Sequence, residues 1–156
     1  MILITRPKIE SLKLKAKLNV IGFETHIDSL SKFTIKKKNL SISKLHIVLI
    51  TSPRVADIVL KSNQISKTIP LLIIGSSSLS KLRQAGFKNI IHAAQDSDEL
   101  IKFIKNNFLK IFVAKNIKGI DYLTGSISND VFIQNIKSLG VAVKKKILYE
   151  TNFKKK

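Results

Sequence analysis

Two runs of four residues, Ile47-Val48-Leu49-Ile50 and Leu71-Leu72-Ile73-Ile74, carry no polar side chain at all. Four residues are too few for a buried helix. A strand apolar on both faces belongs in a parallel sheet covered from both sides. Each run leads into a helix-start signal. Ser52 is a good N-cap and Pro53 a good first helical residue after the first run, and Gly75 turns the chain into Ser76 after the second. Short apolar runs alternating with amphipathic stretches are the pattern of βαβ units, so the fold class is α/β.

The alternation extends in both directions. Ile2 to Thr5 reads as a first strand and Pro7 opens a helix in which Ile9, Leu12, Leu14 and Leu18 fall roughly on one face. Gly22 ends that helix and Phe23 to Ile27 is the next strand, whereas Leu30 to Leu45 is lysine-rich and reads as an extended connection with Phe33 and Ile35 alternating. Beyond the two apolar runs, a helix over Ser76 to Ala85 closes at Gly86, and Lys88 to His92 is a short strand. Asp96, Asp98 and Glu99 place acids at the start of a helix to about Asn107, where the macrodipole favours them. Leu109 to Ile117 fits either an extension of that helix or a buried strand. Ile120 to Leu123 is a strand, Ser128 to Leu139 a helix ending at Gly140, and Val141 to Tyr149 a final strand. The expected organisation is a flavodoxin-like lobe over residues 36–148, with residues 1–35 and 149–156 forming an incomplete first lobe and connection.

Composition narrows the function. The 156 residues carry a formal net charge of +18, yet 44% are hydrophobic and mean hydropathy is +0.12, so a disordered basic tail is excluded. Nothing approaches the roughly 20 apolar residues of a membrane span, and there is no cysteine for a disulfide, a thiol nucleophile or a cysteine-held metal. A cytoplasmic chain without membrane contact is the expectation. The positive charge comes from 25 Lys and only 3 Arg, alongside 25 Ile. That is the signature of an AT-rich genome on a solvated surface more than of nucleic-acid recognition, which leans on Arg and on aromatic stacking. Lys36-Lys37-Lys38, Lys144-Lys145-Lys146 and Lys154-Lys155-Lys156 read as solvated connections and termini.

In a doubly wound sheet, ligands bind beyond the carboxyl ends of the strands. The residues there are Thr5-Arg6, Thr51-Ser52-Pro53-Arg54, Gly75-Ser76-Ser77-Ser78, Gly125-Ser126 and Tyr149. Paired carboxylates, metal-spaced histidines and a nucleophile–base pair are all lacking from this set. Hydroxyls and helix-start N–H groups suit an anion instead, although Ser and Thr at these places are caps in the first instance. The Gly75 turn has neither the Walker lysine nor the G-x-G-x-x-G spacing, so a nucleotide is not indicated. His26, His46 and His92 are scattered without helical pairing. Leu3-Ile4-Thr5-Arg6-Pro7 is echoed by Leu49-Ile50-Thr51-Ser52-Pro53, which raises the prospect of two similar lobes.

The ordered set of motifs resembles uroporphyrinogen-III synthase. It comprises Ile2-Leu3-Ile4-Thr5-Arg6-Pro7, Ile50-Thr51-Ser52-Pro53-Arg54-Val55-Ala56, and Ile73-Ile74-Gly75 with Leu82 and Gly86-Phe87. Asp98-Glu99-Leu100, Leu123-Thr124-Gly125 and Leu139-Gly140-Val141-Ala142-Val143 leading to Leu148-Tyr149-Glu150-Thr151 complete it. The resemblance implies an enzyme that takes the linear tetrapyrrole hydroxymethylbilane and removes water at its hydroxymethyl end. It then inverts ring D through a spiro intermediate and closes the macrocycle to uroporphyrinogen III, with no cofactor and no metal. It further implies that Thr51, Ser52, Arg54, Ser78 and the backbone at Gly75 bind acetate and propionate groups. By the same resemblance Thr5 and Arg6 face the substrate from the other lobe, and Tyr149 assists departure of the hydroxyl.

This chain departs from the family at Asp28, where a proline is usual, at Asn129, where many members have arginine, and at Ser77-Ser78, which replace an alanine–threonine pair. It ends just past Tyr149, where the family returns to finish the first lobe, so a complementary C-terminal segment is an expected partner and the chain alone is expected to be limited in activity. The residues by themselves leave two other classes open: a non-catalytic polyanion-binding lobe and a nucleic-acid-binding α/β module.

Overall fold

The computed structural model describes residues 1–36 and 40–154; Lys37 and Lys38 of the first lysine run, and Lys155 and Lys156 of the last, lie outside the described residues. The chain divides into two units, one of residues 1–36 with 149–156 and one of residues 37–148.

The smaller unit contains β1 (Ile2–Ile4), α1 (Lys8–Val20), β2 (Thr25–Ile27) and β3 (Ser31–Ile35). β1 and β2 pair in parallel with Leu3 opposite His26. Pro7 brings its fixed φ to the start of α1, and the Ser11 hydroxyl donates to the Arg6 carbonyl oxygen at 2.6 Å. The single-face expectation for α1 holds only in part. Leu14 and Leu18 are half-buried, while Ile9 and Leu12 are exposed and Ser11 is the helix's buried residue. Two strands are too narrow a platform to cover a helix face, and parallel pairs are normally covered on both sides.

The lysine-rich connection contains a strand that its sequence hid. β3 pairs antiparallel with residues 149–153, Phe33 opposite Thr151 and Ile35 opposite Tyr149. The Phe33 and Tyr149 rings meet edge-on at 5.4 Å, and ion pairs Lys36–Glu150 at 2.5 Å and Lys154–Asp28 at 2.6 Å flank the ribbon. The hydrogen bond from Lys154, and then its charge, hold the Asp28 carboxyl below its ordinary range.

The larger unit runs β4 (His46–Ile50), α2 (Pro53–Ser62), β5 (Leu71–Ile74), α3 (Ser76–Gln84), β6 (Ile90–Ala94) and α4 (Ser97–Phe108). A π-helical turn, Leu109–Val113, follows; then come β7 (Gly119–Gly125), α5 (Asp130–Ser138) and β8 (Val143–Phe153), whose residues from 149 onward belong to the smaller unit. β4 pairs in parallel with both β5 and β7, and β5 with β6. The expected parallel α/β lobe is therefore present. Its strands lie in the order β8-β7-β4-β5-β6. Counted within the lobe this is 3-2-1-4-5 read from the β6 side, the other common doubly wound order rather than that of flavodoxin.

Ile47, Leu49, Ile50, Leu71, Leu72, Ile73, Ile120 and Leu123 are fully buried, as strands covered on both faces require. Leu100 and Ile104 of α4 and Phe132, Ile133 and Ile136 of α5 close over Ile47, Leu49, Leu72 and Ile120. The ambiguous segment after Asn107 is neither a plain helical extension nor a strand, since the chain widens into the π turn and buries Ile111 and Phe112. The sixth strand spans 90–94, two residues later than its sequence suggested, and its pairing with β5 shifts register at Leu71/Leu72.

Candidate functional site

Register places three strand ends side by side in the larger unit. Ile50 of β4 lies opposite Ile73 of β5 and Leu123 of β7, so Thr51, Ile74-Gly75 and Thr124-Gly125 share one edge of the sheet. The strand order reverses between β4 and β7, and a doubly wound sheet opens its crevice at such a point.

Each turn at this edge has its own chemistry. The Ser52 side chain accepts from the Arg54 N–H at 3.3 Å, so it caps α2 and sets Arg54 in the first helical turn. The Thr51 hydroxyl lies 3.1 Å from the hydroxyl of Tyr122, a buried residue whose ring meets Phe132 edge-on. Gly75 takes φ +93, a conformation that glycine adopts without strain. A Cβ there would meet nothing within 4 Å, so backbone conformation and not space is what calls for glycine.

Because Gly75 has no side chain, α3 starts without a side-chain cap. Its first helical N–H donor is Leu79, bonded to the Gly75 carbonyl oxygen at 3.2 Å. The N–H groups of Ser76, Ser77 and Ser78 precede it at the positive end of the helix, where an anion is favoured. The Ser78 hydroxyl, fully buried, has no hydrogen-bond partner among the described residues. An uncapped nine-residue helix with an unpartnered buried hydroxyl in its first turn is an unfinished hydrogen-bonding arrangement. Between the two helices, Lys81 of α3 donates to Asp57 of α2 at 2.6 Å, which ties their relative positions.

Of the residues singled out from sequence, Thr51, Ser52, Arg54, Gly75 and Ser78 thus gather along one sheet edge. Thr5 and Arg6 follow β1 in the smaller unit and are exposed, with the Thr5 carbonyl oxygen accepting from Leu30 N–H at 3.1 Å. Tyr149, also in the smaller unit, is largely buried against Phe33. Sequence reasoning missed Tyr122 and the Asp57–Lys81 tie. The whole of β7 is buried, so alternation carried no signal for which face Tyr122 takes.

Within the larger unit, His46 and His92 lie away from this edge. His46 Nδ1 lies 3.3 Å from Asp121 Oδ2 at the amino ends of β4 and β7. His92 stacks on Phe103 with ring centroids 3.8 Å apart. Among the described residues no three His, Cys, Asp or Glu side chains cluster as a metal site would, and no helix is long and apolar enough to cross a membrane.

The family model described as Uroporphyrinogen-III synthase HemD matches residues 13–156. The chain belongs to the uroporphyrinogen-III synthase family.

Solved structures agree on the fold. The uroporphyrinogen-III synthetase of Helicobacter pylori aligns with a TM-score of 0.58 at 16% identity, over 84% of this chain and 57% of that one. A mutant uroporphyrinogen III synthase from Thermus thermophilus aligns with a TM-score of 0.64 at 13% identity, over 98% of this chain and 63% of that one. A second structure of the Thermus thermophilus synthase gives a TM-score of 0.52 at 13% identity. The chain spans about three fifths of the length of these synthases. No curated protein sequence matched.

Proposed function

We propose that this member of the uroporphyrinogen-III synthase family acts in tetrapyrrole biosynthesis on hydroxymethylbilane, closing it to uroporphyrinogen III with inversion of ring D and loss of water. The reading rests above all on the family match over residues 13–156, combined with three adjacent strand ends that offer N–H groups, hydroxyls and one guanidinium. Those donors suit a substrate bearing many carboxylates, and diffuse positive potential assists its capture. Arg54 pairs with one carboxylate, the Ser76–Ser78 N–H groups and the Ser78 hydroxyl receive another, and Thr51 and Ser52 complete the donor set. Thr5 and Arg6 supply the same chemistry from the smaller unit.

Chemistry of this kind asks for orientation and a proton donor more than for a strong base. The Tyr149 phenol gives its proton to the leaving hydroxyl as the carbon–oxygen bond breaks. Water departs and a pyrrole-stabilised cation remains. Ring D attacks that cation through the carbon that already bears its bridge to ring C, giving the spiro intermediate. The bond from that carbon to the bridge breaks, the bridge cation so released is captured by the free α-carbon of ring D, and the proton lost there returns to the Tyr149 phenolate. No cofactor or metal enters the sequence of steps, and the cytoplasm is the proposed location.

The smaller unit exposes Leu3, Ile9, Leu12, Val20, Ile21 and Phe23. We assign this surface to a complementary α/β segment corresponding to the remaining length of the related synthases, carried on the same polypeptide or on another. Neither a purely polyanion-binding lobe nor a nucleic-acid module is favoured by the family match.

The test is conversion of hydroxymethylbilane, scored as the ratio of isomer III to the spontaneous isomer I after oxidation to porphyrins. Isomer III above background supports the reading, and Arg54→Ala lowers it. Isomer I alone, both from this chain and from this chain with the complementary segment added, overturns it.

A further inference from the structure

The amino-terminal side of β7 and β8 holds a second concavity, separate from the three strand ends. It has a volume of about 300 Å³ and is lined by Phe108, Phe112, Val113, Asn116, Ile117, Lys118, Gly140 and Val141. Its walls come from the end of α4, the π turn, the loop into β7 and the loop into β8. Three observations bear on what it holds.

Most of the side chains that line it are apolar or aromatic, while about half of its exposed surface is polar. Phe108 and Phe112 lie with ring centroids 5.3 Å apart at an interplanar angle of 28°. Ile117 and Val141 add aliphatic surface, and Gly140, at φ +82, lets the chain turn beside Phe108, whose ring tip would lie 4.0 Å from a Cβ there.

The surrounding charge is of one sign. From Leu100 to Ile120 the chain carries Lys102, Lys105, Lys110, Lys115 and Lys118 and no acid. Among the described residues none of these five forms an ion pair within 4 Å. This contrasts with Lys81, Lys145, Lys146 and Lys154, each paired with an aspartate.

The backbone is irregular here and nowhere else to this degree among the described helices. The π turn widens the helix at Leu109–Val113, and Asn116 takes a left-handed φ of +51. The π turn stands at the carboxyl end of α4 and runs directly into the turn at residues 114–116. The widening leaves Leu109 and Val113 exposed while Ile111 and Phe112 stay buried.

From this we infer a second ligand site, for a small amphipathic anion: a monocarboxylate with an aromatic or medium-length alkyl body. A surface shared about equally between polar and apolar groups suits a molecule that is apolar at one end and charged at the other, and about 300 Å³ upward is the usual size of a small-ligand pocket. The body lies between Phe108, Phe112, Ile117 and Val141. The carboxylate meets the Lys118 ammonium at the rim, with the Asn116 amide as a further donor. A protein segment or a membrane surface needs a long groove or a flat face, and a half-open hollow of this size favours a small molecule. Nothing in the proposed cyclisation uses these residues, so a ligand here acts on the lobe from the end of the sheet opposite the strand-end turns.

The test is titration of the ¹⁵N-labelled full chain with 4-phenylbutyrate, followed by amide chemical shifts, with neutral 4-phenylbutanamide as the control. The expected result is saturable shifts confined to residues 108–118 and 139–142, with the amide binding about tenfold more weakly, the order expected for losing one charge-assisted contact. Lys118→Gln weakens the carboxylate by a similar factor and leaves the amide unchanged. Val113→Trp, at an exposed rim position, fills the hollow and abolishes both while the remaining amide spectrum keeps its dispersion. Equal binding of acid and amide, shifts centred on residues 51–54 and 75–78, unaltered binding by Val113→Trp, or no saturable shift in the millimolar range each overturn the inference.

Discussion

Replacing Ser78 by alanine separates a ligand-binding serine from a packing one. Its hydroxyl is fully buried and unpartnered, and an unsatisfied buried polar group costs about 1–3 kcal/mol of stability. Removing it leaves the Cβ packing unchanged and puts the best helix former into the first turn of α3. Ser78→Ala therefore raises unfolding free energy by roughly 1 kcal/mol, a melting increase of about 2–4 °C for a chain of this size. Urea denaturation followed by far-ultraviolet circular dichroism reads that change directly.

The same substitution weakens binding of a polycarboxylate. A carboxylate seated on the α3 N–H groups gives the hydroxyl its missing partner, and a hydrogen bond to a charged group is worth about 1.5–3 kcal/mol, so Kd for uroporphyrin rises at least about tenfold. Stability up with affinity down is the expected signature. A loss of 1 kcal/mol or more with affinity unchanged would refute the reasoning and make Ser78 part of the packing alone.

Further outcomes follow from other contacts. Tyr149→Phe keeps the edge-on contact with Phe33 and removes the proton donor; kcat for isomer III falls by about a hundredfold or more with KM little changed, measured by porphyrin chromatography. Asp121→Ala leaves His46 and Lys146, 3.3 and 3.6 Å from that buried carboxylate, without their acid; unfolding free energy drops by about 3 kcal/mol in urea denaturation, and unchanged stability would exclude a structural role. The lowered Asp28 carboxyl favours the folded state above the ordinary aspartate range, and that contribution disappears as pH falls through the folded value. Lys154→Ala returns Asp28 toward 3.8 in an NMR titration and removes that part of the acid dependence. Ile9→Lys, on an exposed face of α1, leaves the chain folded by circular dichroism and blocks its association with the complementary segment in size-exclusion chromatography.

Much of this was legible because parallel sheets write themselves into sequence as uninterrupted apolar runs. Ile47–Ile50 and Leu71–Ile74 could hardly be anything else, and Ser52-Pro53 and Gly75 located the helix starts that frame the site. β3 was hidden because an edge strand needs apolar residues on one face only, and the lysines in and after it read as a linker. The π turn was hidden because Leu109 to Ile117 follows neither a 3.6- nor a 2-residue period. At the site, sequence identified the hydroxyls but not their present partners. That Ser52 caps α2, that Thr51 faces Tyr122 and that Ser78 is enclosed and unsatisfied are facts of packing. Local pattern does not encode them.

The most direct measurement is a chemical-shift map of uroporphyrin III on the ¹⁵N-labelled protein at physiological salt. The prediction is saturable binding that shifts the amides of residues 51–54, 75–78 and 124–126, with Arg54→Ala weakening it about tenfold, as loss of one charge-assisted pair implies. Shifts spread instead over the lysines of residues 102–118 and 144–146, falling away with salt and indifferent to Arg54→Ala, would contradict it.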